Sequence, residues 1–198
     1  MSILSKSLNP LLNSLKESLE NILAEGNRMN TLISQLLIMA RGNDGSIMQE
    51  AEPIDISMLT EAVVDEVKNM PAHPDIAISA DIESGIILLV EQTLYMRLLF
   101  NLIDNALKYN VPGGWVKVVL RKEDASIFLS VEDGGIGISE DNLPRIWDRF
   151  FKATKHTANS SPGLGLSLVK WIAEQFGGTV SVKSELGKGS IFEIRFPA

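Results

Sequence analysis

Three groups of residues in this chain are of types that can hold a ligand. The first is Asn101, Asn105 and Lys108, whose spacings of four and three place them in one polar stripe along a helix. The stripe is set among Leu94, Met96, Leu98, Leu99, Phe100, Leu102, Ile103, Ala106 and Leu107, too many apolar residues for a helix with a wide solvent face. Buried amides need partners, so the stripe either bonds a neighbouring loop or lines a ligand cavity. The second group is Val131-Glu-Asp133-Gly-Gly135-Ile-Gly137, a carboxylate at the end of a strand with three glycines in the next four positions. Read by itself it is a turn. The same glycines would also let the backbone approach a flat ligand, and the carboxylate can accept a hydrogen bond from an amine such as that of adenine. The third group, Ser160-Ser161-Pro162-Gly163-Leu164-Gly165-Leu166, lies directly before a helix, where free N–H groups and the positive end of the dipole favour phosphate. The polar run before it, with Lys152, Lys155 and His156, has the length of a lid and equally that of a plain surface loop.

The elements that must position these groups are legible in the periodicity. Leu8, Leu12, Leu15, Leu19, Ile22, Gly26, Met29, Ile33, Leu36 and Ala40 alternate steps of four and three, an unbroken heptad seam. Asn9-Pro10 suits its start and Arg41-Gly42 its end, giving one helix of roughly 50 Å. Leu11, Leu23, Leu32 and Leu37 widen the stripe as in a helical bundle; the helix either packs on its own globular domain or self-associates, and we expect self-association because the seam outruns a small domain's width. A turn at Gly26-Asn27, making a short hairpin, is the competing reading. The polar stretch Gly42 to Pro53 marks a boundary, and we divide the chain into 1–45 and 46–198.

In the second part, Ile54 to Ile56 reads as a short strand, and Ser57 can cap a helix running to about Asn69. Strands follow at Ile76–Ile82 and Ile86–Val90, ahead of the Asn101 helix, which Pro112-Gly113-Gly114 ends. Trp115–Leu120 and Ser126–Glu132 form a hairpin across Lys122-Glu123-Asp124. A short helix is expected near Asn142–Phe150 and a longer one over Leu164–Phe176. Gly177-Gly178 stops the latter, and a closing hairpin turns across Glu185–Gly189. Helices and strands do not alternate strictly, which favours an α+β fold, a two-layer sandwich with helices on one sheet face.

Composition narrows the function. There is no cysteine, and the two histidines, His73 and His156, are far apart, so a transition-metal site is not expected. Eighteen basic against twenty-five acidic residues, a net charge of -7, argue against nucleic acid as a partner. The longest aliphatic run, Ile86 to Val90, is far short of a membrane span, and no leader pattern opens the chain, so a cytoplasmic location is expected, with a parent protein that a membrane can anchor.

The order of the motifs is more specific than any one of them. Asn101-Leu-Ile-Asp-Asn-Ala-Leu-Lys-Tyr109, Asp133-Gly-Gly-Ile-Gly137, Ile146-Trp-Asp-Arg-Phe-Phe-Lys152, Gly163-Leu-Gly-Leu166 and Gly187-Lys-Gly189 resemble, in sequence order, the nucleotide-binding boxes of sensor histidine kinases. The resemblance covers about Glu52 to Ala198, and Arg28 to Arg41 resembles the second helix of that family's dimerisation hairpin. It implies a Bergerat-type sandwich that binds ATP through Mg²⁺. Asn105 would ligate Mg²⁺ with Asn101 beside it, Lys108 and Tyr109 would face phosphate and ribose, and Asp133 would bond the adenine amine. Gly135 and Gly137 would let the base pack close, Phe150 and Phe151 would anchor the lid, Lys152 would belong to the nucleotide site, and the Gly163-Leu164-Gly165-Leu166 backbone would admit the phosphates. The partners implied are a second copy of the chain, a histidine-bearing dimerisation helix and a response regulator.

Three departures from the family pattern bear on activity. Gly134 stands where Asn is frequent after the aspartate, and Ser161-Pro162 opens the lid-side glycine box. The third is larger: no histidine stands in a segment resembling His-Glu-Leu-Arg-Thr-Pro-Leu, and the acceptor position would fall on Ser5 if Pro10-Leu11 marks that segment's tail. Mg-ATP binding without self-phosphorylation is therefore expected. ATPases of the same superfamily carry Glu four residues before the metal-binding Asn; here that residue is Asn101, an amide that cannot take a proton, so hydrolysis should be slow. The remaining alternative is a nucleotide-responsive dimerisation module without kinase activity.

Overall fold

The computed structural model describes residues 50–70, 75–153 and 163–198, and, between 14 and 37, residues 14–16, 18–19, 21–23, 25–26, 29–30, 32–34 and 37. The chain divides into two units, Met1–Ile38 and Met39–Ala198. In the first, every described residue is helical, Gly26 included. Its Leu15, Leu19, Ile22, Leu23, Met29, Ile33 and Leu37 side chains are each more than half exposed. The expected ends of that helix, Ser5, the connector around Asn43, His73 and His156 all lie outside the described residues.

The second unit is built on two sheets. Strand β1 (Glu52–Asp55) pairs antiparallel with β3 (Ile87–Val90) in a small two-stranded sheet. The main sheet has five strands in the order β2-β4-β5-β7-β6, with β2 (Ala77–Ile82) parallel to β4 (Trp115–Glu123). The others, β5 (Ser126–Asp133), β6 (Thr179–Glu185) and β7 (Gly189–Pro197), pair antiparallel. Alternation sets the two faces. Val116, Val118 and Leu120 line up with Asp133, Val131 and Leu129 and then with Phe192 and Ile194, all buried. Arg121, Phe128 and Arg195 share the opposite face, where both guanidinium groups lie over the phenyl ring, at 5.9 and 4.7 Å. The helices cover the apolar face: α1 (Ile56–Lys68), α2 (Gln92–Lys108) and α3 (Gly165–Gln175). The result is the mixed sandwich expected, with one parallel strand pair in the main sheet.

Four local expectations are corrected. Ile56 is helical, and the cap of α1 is Asp55, whose carboxylate accepts the Met58 N–H at 3.1 Å. Ser57 is buried instead. Its hydroxyl donates to the Glu83 carbonyl at 2.6 Å and accepts the Ile86 N–H at 3.0 Å, fastening α1 to the β2–β3 connection. The β4–β5 turn is Asp124-Ala125, with Glu123 paired to Ser126 and Asp124 at φ 46°, a conformation that aspartate tolerates. The helix expected near Asn142–Phe150 shrinks to one 3₁₀ turn, Leu143–Arg145, followed by a turn in which the Asp148 N–H donates to the Arg145 carbonyl at 2.9 Å.

One buried polar pair ties α1 to α2. Thr60 donates to the Ile56 carbonyl at 2.7 Å, so the Tyr95 hydroxyl, 2.7 Å away, is the donor to Thr60. Burial pushes the Tyr95 phenol above its ordinary range. Thr60→Val should therefore destabilise more than Tyr95→Phe, because it strands a buried hydroxyl, at about 1–3 against about 1 kcal/mol. Urea unfolding of the two variants checks the order.

Candidate functional site

Helix α2 starts where Glu91 accepts the Thr93 and Leu94 N–H groups at 2.9 and 2.7 Å. Its apolar positions Leu98, Leu99, Leu102, Ile103 and Ala106 are buried, which leaves Asn101, Asn105 and Lys108 half-buried along one side. The Asn101 amide donates to the Arg97 carbonyl at 2.7 Å, so its oxygen faces away from its own helix. There it meets Gly165: a Cβ on that glycine would lie 3.0 Å from Asn101 Oδ1 and 3.8 Å from Asn105 Nδ2. Gly165 is the first residue of α3, a helix with no side-chain cap and no acidic residue in its first turn. The asparagine stripe thus sits directly against the start of a helix, the end whose N–H groups and dipole favour an anion.

The carboxylate-glycine stretch assembles next to it, at the C-terminal end of α2. Asp133 is buried, and its Oδ1 accepts the Gly135 N–H at 2.9 Å. Burial raises its carboxyl above the ordinary value, while the backbone N–H groups of Gly135 and Ser190 pull it back down. A Cβ on Gly135 would collide with the Tyr109 carbonyl, which accepts the Ile136 N–H at 2.9 Å. Gly137, at φ 66°, sits against the Glu185 carbonyl, where a Cβ would collide. Gly189 leaves no room beside the Asp133 carbonyl, and the Gly187 N–H donates to Ile136 at 2.7 Å. Four of the separate sequence motifs therefore converge on two adjoining patches of backbone. Lys108 Nζ lies 5.4 Å from the Tyr109 ring centre, and desolvation, then Asp104, raises the Tyr109 phenol.

The lid-side residues are placed less as expected. The Phe150 ring is exposed, so it contributes no burial to an anchor. Phe150 is instead held in the left-handed region, at φ 65°, by its N–H bond to the Gly163 carbonyl at 2.8 Å. The side chains of this box that pack inward are Ile146, which is buried, and Trp147, set edge-on to Phe192 at 6.1 Å; sequence reasoning assigned neither a role of its own within the box. Phe151 stacks under Arg145 at 4.5 Å, and Lys152 beyond it is exposed. Leu164 is fully buried, so only its backbone faces the helix end, while Leu166 is half-buried. Sequence reasoning also missed Asn110. Its amide donates to the Ala106 and Trp115 carbonyls, both at 3.0 Å, tying the end of α2 to the start of β4. An asparagine just past a helix end was the available signal.

The sequence model of the histidine kinase-, DNA gyrase B- and HSP90-like ATPase family matches residues 90–198, more than half of the chain. The chain belongs to this family. Over 181 residues this kinase-type domain is 32% identical to the sensor-like histidine kinase SenX3 of Mycobacterium tuberculosis, across 90% of the chain and 44% of that protein. Over 185 residues it is 32% identical to the signal transduction histidine-protein kinase ArlS of Staphylococcus aureus, across 92% of the chain and 41% of that protein. The chain therefore spans less than half the length of these curated relatives. Among solved structures, the mycobacterial sensor histidine kinase MprB aligns with TM-score 0.65 and 26% identity, over 74% of this chain and 97% of that one. Full-length ShkA in complex with AMPPNP aligns with TM-score 0.71 and 27% identity, over 96% of this chain and 38% of that one. Residues 90–198 are thus a domain of this ATPase and kinase family, and the chain is similar to the catalytic, ATP-binding portion of sensor histidine kinases.

Among the described residues no group of three or more His, Cys, Asp or Glu forms a metal cluster. A cation here would take its oxygens from Asn105, from phosphate and from water. That donor set fits Mg²⁺, which keeps waters and shares substrate phosphates, and does not fit a transition metal.

Proposed function

We propose that the chain is the ATP-binding portion of a sensor histidine kinase that donates the ATP γ-phosphate to a histidine on a dimerisation helix, for onward transfer to a response-regulator aspartate. The observation that carries the reading is the close approach of Gly165, at the uncapped start of α3, to Asn101 and Asn105 of α2. Asp133 accepts the adenine amine, Gly135 and Gly137 leave room for the base, and Tyr109 flanks the ribose. Lys108 and the Gly163–Leu166 backbone receive phosphate oxygens, and Asn105 holds Mg²⁺, with Asn101 beside it. When bound, Mg²⁺ neutralises phosphate charge, the main requirement of this reaction class. Phe150 and Lys152 stand at the edge of the lid.

The protein's own groups set the direction of the chemistry. Asn101 cannot take a proton from water, so the site favours transfer over hydrolysis. The exposed leucines of the first unit support self-association, as a homodimer through the N-terminal helix. No described helix is long and apolar enough to cross a membrane.

Neither His73 nor His156 has the sequence setting of an acceptor, so the chain incubated with γ-labelled Mg-ATP is expected to bind nucleotide and carry no acid-labile phosphate. Acid-labile label on the chain would overturn that expectation. Rapid phosphate release by the chain alone would favour the hydrolase reading.

A further inference from the structure

We infer that Trp115 is a positioning residue for the carboxylate that reads adenine, and that Gly134 is the position that gives its ring room. The inference rests on the ATP-binding reading above. Trp115 opens β4, one residue before Val116, which pairs with Asp133. Alternation puts Val116 on the core face and Trp115 on the other, at Gly134, the residue that follows Asp133. The Gly134 N–H donates to the Trp115 carbonyl at 3.0 Å. A Cβ on Gly134 would lie 2.6 Å from the indole Nε1 and 2.9 Å from Cδ1, so the ring fills the volume that a side chain at 134 would need.

The Gly134-Gly135 turn is thereby held from two sides. The indole packs against it on one, and the Tyr109 carbonyl closes it on the other, too near for any Cβ on Gly135. What the turn positions is the Gly135 N–H, which holds Asp133 Oδ1 at 2.9 Å. Two successive glycines have no side chain of their own to restrict them. Without the indole the Gly135 donor is free to move, and the carboxylate with it. Trp115 is 45% exposed, so its truncation forfeits little of the core while losing this contact. Asn110, bonded to its carbonyl, fastens the same corner to α2.

The test is calorimetric titration of the full chain, with Mg²⁺, by ADP and by inosine diphosphate, which keeps the sugar and phosphates and replaces the amine by a carbonyl. Trp115→Ala is expected to lower ADP affinity about ten-fold, roughly one hydrogen bond to a charged group, and to leave inosine diphosphate affinity within about two-fold. Trp115→Phe should keep most of the preference for ADP. Gly134→Ala should weaken ADP binding in the wild-type background and not in Trp115→Ala, a coupling read from the four-variant cycle. Parallel loss of both nucleotides would make Trp115 merely structural, and an unchanged preference would remove it from the site; either overturns the inference. Failure of the underlying reading appears in the wild type itself, as equal binding of the two nucleotides or binding of neither, and takes the inference with it.

Discussion

Asp133→Asn is expected to remove most of the ATP affinity and, at neutral pH, to raise the stability of the kinase domain. The two effects share one cause. Burial lifts the Asp133 carboxyl above its ordinary value, and the two backbone N–H donors offset this only in part. A carboxyl whose folded value is raised is favoured by folding in its protonated form. Its stabilising contribution is present below the unfolded value and is lost as the pH rises through the folded one. At neutral pH the charge is therefore a cost, retained for what it binds. Asparagine keeps the shape, and its amide oxygen can still accept the Gly135 N–H. Its NH₂ then faces the adenine amine, donor against donor. The loss of a hydrogen bond to a charged group is worth about 1.5–3 kcal/mol, roughly ten- to a hundred-fold in affinity. Thermal melts and calorimetric titration of the same variant read both effects. In the wild type, ATP affinity should fall as the pH drops through the raised Asp133 value. Unaltered affinity in Asp133→Asn would sink the adenine assignment.

Asn105→Ala should erase the Mg²⁺ dependence of ATP binding while leaving the fold intact. Asn105 lies inside α2, where its carbonyl accepts the Tyr109 N–H at 3.0 Å, a backbone bond the substitution preserves. Alanine is the better helix former, and the position is half-buried on the polar stripe, so no apolar packing is lost. What disappears is the amide oxygen that the proposed Mg²⁺ site would use. Losing a ligand should cost at least the ten- to hundred-fold in metal affinity that losing a supporting group does. ATP affinity measured with Mg²⁺ should then converge on the value measured with excess EDTA. The variant should also fail to phosphorylate a histidine-bearing dimerisation helix supplied in trans. If Mg²⁺ still strengthens ATP binding as it does in the wild type, the metal is held elsewhere.

Local periodicity carried much of the architecture. The density of apolar residues around Asn101 is what buries α2, and the same spacing sets its three polar residues on one side. The closing hairpin is legible because Leu186 to Lys188 interrupts two runs with the two-residue alternation of strands. The cap of α1 was not. Asp55 and Ser57 are both good capping residues, and the choice between them depended on Glu83 and Ile86, which take up the Ser57 hydroxyl from across the fold. The packing of the Ile146–Lys152 box was missed for a similar reason. Phe150 is as apolar as Trp147, but Phe150 is exposed while Trp147 meets Phe192, on a strand near the far end of the chain.

The sequence by itself determined the family, because five short boxes in a fixed order are far more specific than any of them alone, and it determined the chemistry each box can offer. Only the tertiary structure decided which boxes meet. Gly165 stands against Asn101 because α3 packs on α2, and Gly135 meets the Tyr109 carbonyl because β5 ends beside the C-terminus of that helix. Trp115 shows the limit most plainly. Nothing in the stretch around it points to adenine, since its role depends on strand register, which puts it beside Gly134 across the β4–β5 pair. Residue types and periods are local properties of a chain. Which backbone a glycine lets come close is settled only when distant segments pack.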